Sequence, residues 1–141
     1  TSDYASHPQH FNHMVEAFRR DLKQYHSQLN NITDAPWFCG DTTWYWKENF
    51  PHAYEVIYGN YQNNVLANII FVDFQQQGER GLTNAPDEDP DDLSTGYYGS
   101  AYRSPENWTT ALRSSHFSAA ARRGIISDRF VEAILQFWRE R

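Results

Sequence analysis

The continuous apolar run Ile69-Ile70-Phe71-Val72, which closes on Asp73 directly after a helical segment, restricts most strongly what this chain can fold into. Four consecutive apolar residues leave no polar alternation for a solvated face, so the strand they form is one covered on both sides. The pattern occurs twice. Pro36-Trp37-Phe38-Cys39-Gly40 reads as a short buried strand and also follows a helix. Apolar strands separated by helices mark a parallel sheet with helices on its faces, because a parallel neighbour is reached only through a crossover. The expected class is α/β.

The helices follow from periodicity. From His10 to about Leu29 the residues Phe11, Met14, Val15, Phe18, Leu22, Tyr25 and Leu29 recur at three- and four-residue spacing, with Arg19, Arg20, Asp21 and Lys23 between them. This is an amphipathic helix, ended by Asn30, Asn31, Asp34 and Pro36. Asp41 to Pro51 reads as an aromatic loop. Ala53 to Ala67 returns to helical spacing through Tyr54, Ile57, Tyr58, Tyr61, Val65 and Leu66. The last segment, Ser115 to Arg141, is helical with Phe117, Ala120, Ile125, Phe130, Ile134, Leu135 and Trp138 as its apolar side. Gly124 predicts a break in it, and Ser127 or Asp128 is the expected cap of the final helix. Two parallel strands alone leave edges and faces unmet, so the chain either oligomerises or belongs to something larger.

Residues 75 to about 108 carry no apolar period; glycine, proline, tyrosine and acidic residues replace it, centred on Pro86-Asp87-Glu88-Asp89-Pro90-Asp91-Asp92. A loop of this length inside one domain is usually functional. The net charge of -6 argues against nucleic acid as a partner, since phosphate neutralisation needs clustered Lys and Arg. No apolar run approaches the ~20 residues that span a bilayer, so no membrane partner is expected either. The single cysteine, Cys39, fits a structural strand position better than a reactive one. His7, His10, His13 and His26 lack a Glu-containing metal-ligand pattern and read as helix-surface histidines, so no metal and no cofactor is expected.

The order of these pieces resembles the C-terminal part of SGNH hydrolases of the sialate O-acetylesterase-like type, which include carbohydrate esterases and phage tail-spike esterases. In that family a Gln-Gly-Glu-Ser/Thr-Asp segment precedes a long helix of the form Tyr-x-x-x-Leu; here Thr1-Ser2-Asp3 precedes the helix ending Phe18-Arg19-Arg20-Asp21-Leu22. Pro36 to Gly40, Ala53 to Ala67, Ile69 to Asp73 and Ser114-Ser115-His116-Phe117-Ser118 then follow the family's order of strand, helix, strand and histidine-bearing helix start. The resemblance covers nearly the whole chain, and it implies a three-layer α/β/α, flavodoxin-like domain of which residues 1–141 are the C-terminal half. It departs from the family at Arg113, where an aspartate usually stands three residues before the histidine. The family's Gly-x-Ser block would lie ahead of Thr1.

What the resemblance implies is a serine-mechanism carbohydrate O-acetylesterase acting on an O-acetylated glycan. His116 would be its general base, and a companion N-terminal segment would carry the serine, unless the chain forms a homo-oligomer. Such an enzyme needs a carboxylate to fix the imidazole's tautomer. Asp92, Asp91 and Asp73 are the candidates, with Asp92 preferred because Leu93-Ser94-Thr95-Gly96 after it forms a plausible ordered turn. The bland reading of the acidic stretch is a solvated or cation-binding loop. Trp44, Trp46, Tyr97 and Tyr98 are the expected sugar-contacting residues, since flat rings stack on sugar faces; core packing is their other use. The alternative function is a non-catalytic glycan-binding or structural module, with Arg113 marking loss of the triad. Either role suits an extracellular, secreted or virion-surface setting.

Overall fold

Helix α1 spans His7–Leu22 and begins three residues earlier than its apolar spacing predicts. Pro8 in the first turn explains the start, because a residue without an N–H costs nothing where the N–H has no helical partner. A 3-10 turn, Asp3–Ser6, leads into it, with the Ser6 hydroxyl donating to the Asp3 carbonyl (3.0 Å) and carboxylate (3.1 Å). A second 3-10 turn, Lys23–Tyr25, closes the helix. The computed structural model describes residues 3–25, 34–74, 117 and 124–141, so the predicted extension to Leu29 lies outside the described residues.

Strand β1 is Trp37–Gly40 and strand β2 is Ile69–Val72, and they form a two-stranded sheet. The Trp37 N–H donates to the Asn68 carbonyl (2.9 Å) and the Asp41 N–H to the Val72 carbonyl (3.0 Å). Both bonds join residues at the same sequence offset, which only parallel pairing produces. Most of the strand residues are half-buried, where sequence reasoning expects them buried; Val72, 3% exposed, is the exception. Two strands offer too little sheet to be covered on both faces. Asn68 leads into β2 at φ 58, a left-handed conformation that asparagine tolerates, and its side-chain amide donates to the Asp34 carbonyl at 2.7 Å.

Two corrections concern the residues between the strands. The expected aromatic loop contains a helix, α2, at Trp44–Asn49, which follows Thr43 in extended conformation and stops before Pro51. The expected helix 53–67 runs instead over residues 51–62, as α3 (Pro51–Tyr54), a π-helical stretch (Glu55–Gly59) and α4 (Asn60–Gln62). Asn63 and Asn64 end it early. The Asn63 side chain donates to the Gly59 carbonyl, and the Asn64 Oδ1 accepts from the Leu66 N–H, so both compete with helical bonding. Val65, assigned to the apolar face by spacing, is 87% exposed.

The chain divides into two units, Thr1–Cys39 with Pro51–Phe71, and Gly40–Phe50 with Val72–Arg141. In the first, Phe11, Val15 and Arg19 form the buried stripe of α1 at four-residue spacing. Phe11 meets Tyr61 (ring centroids 4.9 Å) and Trp37 (6.2 Å), while Tyr54 stacks on Tyr58 (4.9 Å). In the second, Phe74 is 3% exposed and meets Phe130 and Phe117 edge-on, each at 5.6 Å. Phe130 comes from α5, Ile125–Arg139. Gly124 occupies the cap position of this helix and no side chain caps it; the predicted helical turns just before Gly124 lie outside the described residues. Ser127 and Asp128 lie inside the first turn, where the Asp128 N–H already donates to the Gly124 carbonyl (3.0 Å).

At Gly40 two aromatic rings of the second unit close on the backbone. A Cβ there would stand 2.7 Å from the Phe74 ring and 2.9 Å from the Phe130 ring. Gly40→Ala is therefore expected to destabilise the fold by about 1–3 kcal/mol, the usual cost of overpacking, as read by chemical denaturation. An unchanged midpoint would show that the rings do not depend on this close approach.

Candidate active site

The carboxyl ends of parallel strands are where open α/β sheets place their ligands. Here those ends deliver Gly40-Asp41-Thr42-Thr43 after β1 and Asp73-Phe74 after β2. Asp41 and Thr43 are buried, at 6% and 1% exposure. Asp41 Oδ1 accepts the Thr42 N–H at 2.7 Å, and the Asp41 N–H ties the segment to β2 through Val72. Among the described residues the Thr43 hydroxyl is buried without a hydrogen-bond partner, an arrangement that costs free energy. Sequence reasoning notices the aspartate that closes β2 but passes over Asp41, although both follow a short apolar strand; that shared pattern is the signal that could have found it.

Of the expected site residues, His116, Asp92, Tyr97 and Tyr98 lie outside the described residues, as does Asp91. Trp44 is described only as the first residue of α2. Trp46 sits one turn before the end of that helix, 40% exposed, with its ring 5.2 Å from that of Phe50, which is 48% exposed. The two form an outward-facing aromatic pair at i and i+4 on the α2 segment. Phe117, which directly follows His116 in the chain, is described and packs on Phe74, the second residue beyond β2.

Three titratable groups in the first unit depart from ordinary values. Burial pushes the Cys39 thiol up to about 11, which keeps it protonated and supports its structural reading. Burial first, then Cys39 and Tyr58, raises the Tyr61 phenol to about 12. Its hydroxyl lies 3.3 Å from His7 Nε2, and the His7 ring also stacks on Phe11 at 6.3 Å. His7 is thus part of an aromatic cluster rather than a surface histidine, whereas His10 and His13 are exposed and His26 lies outside the described residues. Among the described residues no three His, Cys, Asp or Glu side chains come together as a metal site.

Over its whole length the chain is 98% identical to one curated protein. That protein, from Escherichia coli (strain K12), is described as "Probable 9-O-acetyl-N-acetylneuraminic acid deacetylase", and the chain spans 43% of its length, in the C-terminal part. The chain is also similar to a solved structure, that of NanS, at 95% identity and a TM-score of 0.78; it covers 43% of that chain as well. No protein-family model matches the sequence. The described carboxyl ends, the Phe74 seat and the exposed aromatic pair of α2 therefore belong to a stretch almost unchanged in a longer deacetylase-like polypeptide.

Burial holds the pKa of His7 below 6.5, with repulsion from His10 adding to the effect. As pH falls past about 6.5 the unfolded chain takes up this proton before the folded one does, so stability declines with acidification until the folded midpoint is passed. An NMR titration is expected to give His7 a midpoint below 6.5, and His7→Gln is expected to flatten that part of the stability profile. A midpoint at or above 6.5 would contradict the burial.

Proposed function

We propose that these residues are the C-terminal part of a three-layer α/β/α, SGNH-type ester hydrolase domain that removes the acetyl group from a 9-O-acetylated sialic acid. The observation that carries the reading is the 98% identity, across all 141 residues, to a protein described as a deacetylase of that sugar. The anchoring of Phe117 on Phe74 supports His116 as the base, since the neighbouring residue is seated just past the carboxyl end of β2.

In this mechanism a serine on the polypeptide outside these residues attacks the acetyl carbonyl while His116 accepts its proton. Collapse of the tetrahedral intermediate breaks the ester bond, and the imidazolium returns the proton to the departing sugar oxygen. Water, deprotonated by the same imidazole, then hydrolyses the acetyl-enzyme, releasing acetate and regenerating the serine. Asp92 orients the imidazole in this scheme. Trp46 with Phe50 offers a flat apolar surface to the sugar, beside the expected contacts at Trp44, Tyr97 and Tyr98.

The exposed Trp46–Phe50 pair would equally serve the alternative, a non-catalytic glycan-binding module, and one substitution separates the two. In the longer 98%-identical protein, His116→Ala in the present numbering is expected to lower kcat on 9-O-acetyl-N-acetylneuraminic acid by about a thousandfold with the fold intact by circular dichroism. A wild-type protein that binds the sugar and releases no acetate would establish the binding module instead.

A further inference from the structure

Arg19, Arg20 and Lys23 crowd the end of α1, and together with Glu16 and Asp34 they line an open cleft of about 410 Å³ in the first unit. Its place is the amino ends of β1 and β2, since Arg19 bonds the Ala35 and Ala67 carbonyls ahead of the two strands. Small-molecule clefts have volumes of roughly 300–1,000 Å³. Arg19 is the best fixed of the lining residues. It is buried, both of those bonds leave from Nη2, and among the described residues its Nε is buried without an acceptor. Carbonyls hydrogen-bond a guanidinium but leave its charge in place, and a buried cation without an anion is costly. Among the described residues, Arg20 pairs with Asp21 at 3.5 Å, where both are exposed and the pair has little strength, and none of the cations pairs with Glu16 or Asp34. The three cations and two carboxylates thus line a shared space without closing on one another. The dipole of α1 favours cations at this end of the helix, but it gives no reason for carboxylates to stand among them.

We propose that this cleft binds a sugar acid. The ligand's carboxylate supplies the counter-charge that Arg19 lacks, with Arg20 and Lys23 as its further donors. Glu16 and Asp34, which only accept when ionised, take the hydroxyl hydrogens of the same ligand. A multiply charged anion would be repelled by those carboxylates, and a neutral sugar would leave the cations unmatched. The mixed lining therefore selects a ligand with one negative charge and several hydroxyls. The proposal rests on the function read above only in naming that ligand as N-acetylneuraminic acid, the deacetylated sugar. It adds a second place on the chain where this sugar is held, at the amino ends of the strands, whereas Asp41, Thr43 and Phe74 follow their carboxyl ends. Bound there, the sugar acid neutralises the side chain that grips both strand starts and so stabilises the fold.

The test titrates the longer 98%-identical protein with N-acetylneuraminic acid while heteronuclear NMR follows the backbone amides of Glu16, Arg20, Lys23 and Asp34, in the present numbering. Saturable shifts at these amides are expected. Affinity read from them is expected to fall at least about tenfold for the methyl ester of the acid, for acetate, and for the double variant Arg20→Gln with Lys23→Gln. The methyl ester keeps the hydroxyls without the charge and acetate keeps the charge without the hydroxyls. Both are compared on the wild-type protein, so they decide the outcome whether or not the variant folds. The absence of saturable shifts would overturn the proposal, as would unchanged affinity in a folded variant. Equal binding of the methyl ester would overturn it too, and so would acetate or inorganic phosphate binding as tightly as the sugar acid, which makes the cleft a general anion site. Binding here by a protein that releases no acetate from the acetylated sugar would fail the esterase reading alone; hydrolysis without these shifts would fail this proposal alone.

Discussion

Arg19 holds the starts of the two strands together. Its Nη2 donates to the Ala35 carbonyl at 2.8 Å and to the Ala67 carbonyl at 2.7 Å. Each carbonyl stands two residues before a strand, β1 at Trp37 and β2 at Ile69. Arg19 is 8% exposed, and a buried guanidinium is costly unless it is hydrogen-bonded; bonds from a charged donor contribute roughly 1.5–3 kcal/mol each. Two four-residue parallel strands have little pairing energy of their own. A side chain from α1 that grips the backbone ahead of each strand, together with Asn68 turning the chain in the left-handed region, fixes their register.

Register at the strand starts sets what emerges at the carboxyl ends. The Asp41 N–H reaches the Val72 carbonyl, which brings the segment after β1 level with the end of β2. Gly40, lacking a Cβ, lets the Phe74 and Phe130 rings close over the backbone at that point. Phe74 in turn seats Phe117. The residue after the proposed catalytic histidine is thereby tied, through one aromatic ring, to the strand end where an α/β sheet presents its chemistry.

Much of the scaffold was legible in the chain because burial follows periodicity. Ile69 to Val72 is a strand over the residues its apolar run marks, and Phe11, Val15 and the rest of α1 follow the three- and four-residue rule. What was not legible involves polar groups acting in apolar places. Arg19 reads as part of a charged face, yet it is buried, since its role depends on carbonyls 16 and 48 residues away. Helix α2 hides behind Trp44-Tyr45-Trp46, whose uniform aromaticity shows no period. Asn63 and Asn64 stop a helix that Val65 and Leu66 would extend, because side-chain bonding to the backbone competes with the ladder. Of the candidate site, the chain offered Asp73 at the end of β2 as one of three possible carboxylates, but the buried Asp41 and Thr43 emerged only from the packing; the role of His116 rests on resemblance and that of Asp92 on the turn that follows it.

On the function proposed above, these residues carry the base of an esterase site whose nucleophile lies elsewhere in the longer polypeptide. Labelling the longer protein with a serine-reactive fluorophosphonate, followed by peptide mapping, tests it most directly. One labelled serine outside residues 1–141 is expected, with labelling suppressed when His116 is replaced by alanine. A label on a serine within these residues, or labelling indifferent to His116, would contradict it.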